Sequence, residues 1–144
     1  MIIKETTNLD DIKAILCNPD IYGCISDDNS PLRGDFEPPI NDKYLYVGGF
    51  VKGGIIALMV YHDTEKETEC HLQVLPEFRK EYALKFGEQA LNFRGTRPLI
   101  AEIPDLYKNV LAFAELQGFL VYGRKGDFVK NGVSYPINLL RYSP

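Results

Sequence analysis

Apolar and polar positions along this chain change period several times, and each change marks an element. Residues 2–6 read as a short strand. Asn8 then precedes Ile12, Ile15 and Leu16, which recur at helical spacing, with Asp11 three residues after it in the manner of a capping box. Pro19 ends or bends that helix. Residues 26–42 carry Ser, Asp, Pro and Gly without a period, a long loop with room for a short helix. A loop of that length inside a compact domain is functional or mobile. From Lys43 alternation takes over. Residues 44–51, a Lys52-Gly53-Gly54 turn and residues 55–61 spell a hairpin. A polar turn over 63–67 leads into a strand that stops near Val74-Leu75, just before Pro76. The next helix, over about 78–94, lines up Ala83, Gly87 and Ala90 on one face, small enough for close approach to a sheet. Gly95-Thr96-Arg97-Pro98 breaks it. Residues 99–103 are a short apolar strand of the kind buried on both faces. A helix over about 105–117 ends at Gly118, a natural left-handed terminator, and two last strands meet at Asn131-Gly132, a type I′ turn signal.

This order, β-α-loop-β-β-β-α-β-α-β-β, predicts an α+β (mixed α/β) domain over residues 1–144. The expected architecture is a central, mixed but mostly antiparallel sheet of about seven strands with helices on both faces. The two strands flanking the 78–94 helix should run parallel through a right-handed crossover. Pro136 lies inside the last strand, and because proline cannot donate to a ladder, a bulge or an edge location is required there.

Composition narrows the function classes. A chain of 144 residues suits one domain with a proper core. A net charge of −4 argues against a general nucleic-acid surface. No apolar run is long enough to span a bilayer, and the N-terminus lacks a signal-peptide layout. Cys17, Cys24 and Cys70 are odd in number and lack metal spacing, so they read as reduced, packed thiols of a cytoplasmic protein. His62 and His71 offer no zinc pattern.

Candidate chemistry concentrates in residues 69–86. A strand stopping at Pro76, the cations Arg79 and Lys80, and a helix N-terminus with unpaired N–H groups make a seat for phosphate, or simply a charged helix start. Glu69, His71 and Gln73 share one face of the strand by alternation. His71 titrates near neutrality and suits a general base, with Glu69 as the second candidate. The plainer reading is a hydrogen-bonded sheet histidine beside a solvated carboxylate. A bulge at Val74 or Leu75 would free an N–H for an oxyanion, whereas a regular ladder would not. Tyr82 either stacks on a ligand or plugs the cleft. Asp27 and Asp28 suit a cationic amine, or serve turn geometry in the long loop.

The stretch from Cys70-His71-Leu72 through Leu75-Pro76-Glu77-Phe78-Arg79 resembles the strand–turn–helix of the GCN5-related N-acetyltransferases, and the element order is similar to that fold over nearly the whole length. The resemblance implies an acyl-CoA bound in a V between two splayed parallel strands, its arm paired to the backbone of Leu72, Gln73, Val74 and Leu75 as an added strand. The diphosphate would then sit on Arg79, Lys80, Glu81, Tyr82 and Ala83. The family's turn carries glycines where this chain has Tyr82 and Leu84. Gly118-Phe119 match the family's Gly-Phe after the last helix, while Tyr107 and Ala114 stand where an Asn and an acidic Tyr are usual. Asn18-Pro19-Asp20-Ile21-Tyr22, Ile25-Ser26-Asp27-Asp28, Glu102-Ile103-Pro104 and Asn131-Gly132 are similar to a group of bacteriophage-encoded members. What this implies is an acetyl-CoA-dependent N-acyltransferase acting on an unknown amine acceptor, in a host cytoplasm. The alternative it implies is a catalytically silent phage component, in a virion or bound to a host protein or to a second copy.

Overall fold

The computed structural model describes residues 1–93 and 97–142. β1 (Ile2–Glu5) leads through α1 (Leu9–Leu16) and α2 (Pro19–Ile25) to the hairpin strands β2 (Tyr44–Val51) and β3 (Gly54–Asp63), then β4 (Thr68–Val74). α3 (Arg79–Ala90), β5 (Leu99–Pro104), α4 (Lys108–Leu116), β6 (Phe119–Lys130) and β7 (Val133–Tyr142) follow. The strands form one seven-stranded sheet in the order β1-β2-β3-β4-β5-β7-β6. All neighbours are antiparallel except β4 and β5. The α+β architecture expected from the element order is therefore the one observed.

Two layers of helix bury the two faces. Ile12, Ile15 and Ile21 of α1 and α2 are fully buried against Tyr46, Leu58 and Val60. Phe86 and Ala90 of α3 are fully buried on the opposite face, against Val47, Ala57, Met59 and Tyr61. Alternation along β2 and β3 sends successive side chains to these two cores, which is why both strands are almost continuously apolar.

Several local expectations change in detail. The Asn8 side chain caps α1, accepting from Asp10 N–H at 2.9 Å and Asp11 N–H at 3.2 Å. The reciprocal half of the cap comes from Thr6, whose Oγ1 accepts the Asn8 N–H at 3.2 Å, and not from Asp11. Pro19 neither ends nor bends α1. It opens α2 in the first turn, where its missing N–H is no loss, with Asn18 as the cap. The 78–94 helix is α3 flanked by 3-10 turns at Pro76–Phe78 and Leu91–Phe93, while residues 94–96 lie outside the described residues. α4 starts three residues later than its pattern suggests, because Asp105 N–H is taken by Pro136 O at 2.8 Å. Pro136 is opposite Asp127 at a register shift, just beyond the end of the β5 ladder, so a bulge absorbs its missing donor. Among the described residues no helix is long and apolar enough to cross a membrane.

Candidate active site

β4 and β5 pair only at Thr68↔Leu99 and Glu69↔Ile100. Beyond Glu69 the two strands part. Leu75 donates its N–H back to Ile56 O on β3 at 2.9 Å. In an antiparallel pair, alternate residues turn both backbone groups the same way, so Cys70, Leu72 and Val74 turn theirs toward the β5 side, where the ladder has stopped. The β3–β4 register runs without a shift. No bulge therefore frees a donor at Val74 or Leu75; the Val74 N–H turns toward the β5 side, beyond the end of that ladder, and the Leu75 N–H is already used. Arg79 closes the open end of the wedge, donating its Nε–H to Val74 O at 3.0 Å.

A cavity of about 360 Å³ occupies this wedge. Its lining includes Cys70 and Leu72 together with their alternates His71 and Gln73, and on β5 Ala101 and Ile103 together with Glu102 and Pro104. Consecutive strand residues point to opposite faces. A cavity lined by both sets passes through the sheet, from the side of α3 and α4 to the side of α1 and α2. On the first side it is walled by Phe113, Ala114 and Gln117 of α4 and its C-terminus. α4 buries none of its side chains fully, because its apolar face looks onto this space. On the second side Cys24, Asp27 and Phe128 form the rim.

The polar groups gather on the second side. Glu69 Oε2 is 3.9 Å from His71 Nε2 and 3.8 Å from His62 Nδ1, and His62 stacks on Tyr44 with ring centroids 4.3 Å apart. The His71 side chain is 46 % exposed and lines the cavity. Lost hydration there lowers its pKa from the ordinary 6.5, against the opposing pull of Glu69 and Glu102. Glu102 faces His71 from β5 and accepts a hydrogen bond from Lys125 Nζ at 2.7 Å.

The two loop aspartates part company. Asp27 lines the cavity, with Oδ1 accepting from Asn29 N–H at 2.9 Å. Both oxygens of Asp28 are occupied by the β6–β7 turn, accepting from Asn131 N–H at 2.8 Å and Gly132 N–H at 2.9 Å. These bonds hold its carboxyl below the usual range. Asn131 and Gly132 have φ of 52° and 75°, the type I′ geometry their sequence calls for. Lys130 reinforces the same junction by donating to Gly23 O at 2.5 Å and Ser26 O at 2.7 Å, at the negative end of α2. The cysteines also differ from one another: Cys70 is buried with its thiol pushed up to about 12, Cys17 is half-buried, and Cys24 is exposed at the cavity rim.

No family model matches the chain, and no curated protein does. Solved structures do. The structure smu.2055 from Streptococcus mutans UA159 superposes with a TM-score of 0.77 at 11 % identity over 99 % of both chains. A mutant of the Vibrio cholerae spermidine N-acetyltransferase SpeG gives 0.75 at 13 % identity, over 99 % of this chain and 94 % of that one. The Escherichia coli ribosomal-protein-S18-alanine N-acetyltransferase gives 0.69 at 15 % identity, over 98 % and 92 %. The fold is that of the GCN5-related N-acetyltransferases.

That fold implies an acyl-CoA in the wedge, and the residues here can be tested for it. Gln117 Oε1 is buried without a hydrogen-bond partner among the described residues, and Gln117 lines the cavity. Its amide lies so close to α3 that a Cβ on Gly87 would be 2.6 Å from Oε1. That oxygen is closed off from the open slot, against α3. Tyr82 turns away from the cleft: its ring packs beside Phe78, with centroids 6.2 Å apart, and is not part of the cavity wall. Leu84 points outward, 48 % exposed. The bulk at the two glycine positions thus leaves the wedge open. Arg79, Lys80 and Glu81 are exposed at the start of α3, where no side chain caps the helix, and Ala83 packs inward. Were that group bound, the backbone of Leu72 would hold the arm, and Arg79 and Lys80 the phosphates.

Glu102, Lys125 and Gln117 escaped the sequence reading. Glu102 had a signal, as the one charged residue in an apolar strand. Lys125 and Gln117 had none.

Proposed function

We propose that this chain is an acyl-CoA-dependent N-acyltransferase that moves an acetyl group from acetyl-CoA to an amine. The observation that carries this reading is the cavity through the sheet at the β4–β5 splay, which joins an apolar slot beside α4 to a polar vestibule beside α2. Acyl transfer needs donor and acceptor to meet in one space, and a passage open to both faces lets them do so. Bound in the slot, acetyl-CoA would supply the activated acyl group. His71 is the base that takes a proton from the acceptor ammonium, with Glu69 holding the imidazole's charge. The Val74 N–H is the donor for the acyl oxygen. Asp27 draws a cationic amine to the rim.

The test is thermal denaturation with acetyl-CoA. A ligand at a hundredfold excess over its Kd adds about 2.7 kcal/mol to the native state. A raised Tm, and free CoA release with an amine panel, are expected; an unmoved Tm at millimolar acetyl-CoA removes the reading.

A second reading rests on Ala114, which leaves α4 without a hydroxyl for the departing thiolate, and on the filled glycine positions at Tyr82 and Leu84. In it the chain is a silent member of the fold, a phage structural or host-binding component. CoA release with any amine dismisses it.

A further inference from the structure

Lys125 belongs to β6, two strands away from β5, yet its ammonium sits on Glu102 in the vestibule. β7 lies between them, with Ile137 opposite Lys125 in the register and also lining the cavity. The lysine therefore reaches across a strand to set its charge on a carboxylate that faces His71. Glu69 pulls on the same ammonium from β4. One cation is thus shared between acidic groups of the two strands that make the wedge.

The two partners of this pair are unequally exposed. The Lys125 side chain is 52 % exposed and Glu102 only 23 %. Lysine released from the pair returns directly to water. Glu102 does not: left alone in the cleft, its charge is poorly hydrated and lacks a counterion. Whatever displaces Lys125 must bring a positive charge of its own. A neutral acceptor cannot do so.

We propose that Lys125 is an internal occupant of an ammonium seat on Glu102, and that the acceptor is an amine carrying a second, charged nitrogen that displaces it. This rests on the acyltransfer reading for the fate of the other nitrogen, which enters the wedge beside His71. That nitrogen loses a proton to His71, forms the C–N bond as the C–S bond of the thioester breaks, and gives its second proton to the departing thiolate. The seated nitrogen stays protonated throughout. Lys125 is then a specificity residue: an acceptor without a second charge leaves it on Glu102, and only one with a charge to exchange takes its place.

The test is calorimetric binding of 1,4-diaminobutane, with no acyl donor present, to wild type, Lys125→Met, Lys125→Arg, Glu102→Gln and Lys108→Met. Lys108 is a control lysine paired with Asp105 away from Glu102. Lys125→Met should bind the diamine about two- to fivefold more tightly, the scale of one partly exposed ion pair no longer in competition. Lys125→Arg should bind like wild type, and Glu102→Gln should lose the gain and the binding. Unchanged or weaker binding by Lys125→Met overturns the proposal. Equal tightening in Lys108→Met also overturns it, since net charge alone would then explain the effect. A missing Tm response to acetyl-CoA would remove the acyltransfer reading and leave the diamine seat standing.

Discussion

Arg79 donates its Nε–H to the carbonyl of Val74 at 3.0 Å, linking the first residue of α3 to the last residue of β4 across the mouth of the wedge. The bond fixes the guanidinium while both terminal NH₂ groups remain without a partner among the described residues. A cation held this way beside a helix N-terminus has the chemistry and fixed direction that a phosphate would need.

Arg79→Ala should therefore weaken acetyl-CoA binding by about tenfold or more, the scale of a charge-assisted hydrogen bond. Lys66→Ala, an exposed lysine in the β3–β4 turn, should leave it unchanged. Titration calorimetry decides; equal losses from Arg79→Ala and Lys66→Ala would remove Arg79 from the site.

His71→Ala should lower kcat by about 10²–10⁴, the range of a lost general base, with little change in the acetyl-CoA Kd. The pH dependence has a definite sign. The folded imidazole has a pKa below 6.5, so at neutral pH it is free to accept a proton. The rate should fall only as pH drops beneath 6.5. For stability, the unfolded chain takes up this proton first. Stability is complete above 6.5 and declines as pH falls from there toward the depressed folded value. In His71→Ala that part of the decline should vanish from a plot of Tm against pH; its persistence would show that another group causes it.

Gln117→Met keeps the volume of the side chain and removes the orphaned acceptor. Without ligand the variant should be more stable than wild type, by up to about 1–3 kcal/mol, because a buried unsatisfied group is lost. The Tm rise produced by acetyl-CoA should not change, because that oxygen is closed off from the slot. A diminished ligand response would mean that the amide turns into the slot when acetyl-CoA binds.

Asp28→Asn should loosen the junction between the long loop and the β6–β7 turn, lowering Tm at neutral pH. The depressed carboxyl contributes stability that is present above the ordinary value of 3.8 and lost as pH falls through the folded value. The gap in Tm between variant and wild type should close in acid. Proteolysis at residues 26–42 reports the same loosening; unchanged cleavage and an unchanged Tm would contradict the clamp.

Much of the fold was legible in the chain. Lys52-Gly53 and Asn131-Gly132 carry the left-handed conformations their turns need, and the alternation on either side of them fixes which strands are neighbours. Asn8, Gly118 and the small face of α3 mark helices by chemistry that acts within a few residues. α2 was not legible: seven residues are too few to display a period, and Pro19 reads as a stop when it is a start.

The site divides along the same line. The positions of Glu69, His71 and Gln73 on one face, and of a basic turn before a helix, follow from alternation and were fixed by the chain itself. Only the tertiary structure decided that β4 and β5 separate after Glu69, that Asp28 is consumed by a turn more than a hundred residues away, and that Lys125 crosses a strand to meet Glu102. Periodicity and turn chemistry are local and survive in a linear pattern. Splay, register and charge pairing depend on which distant strands lie side by side, and that is settled by packing two cores onto one sheet.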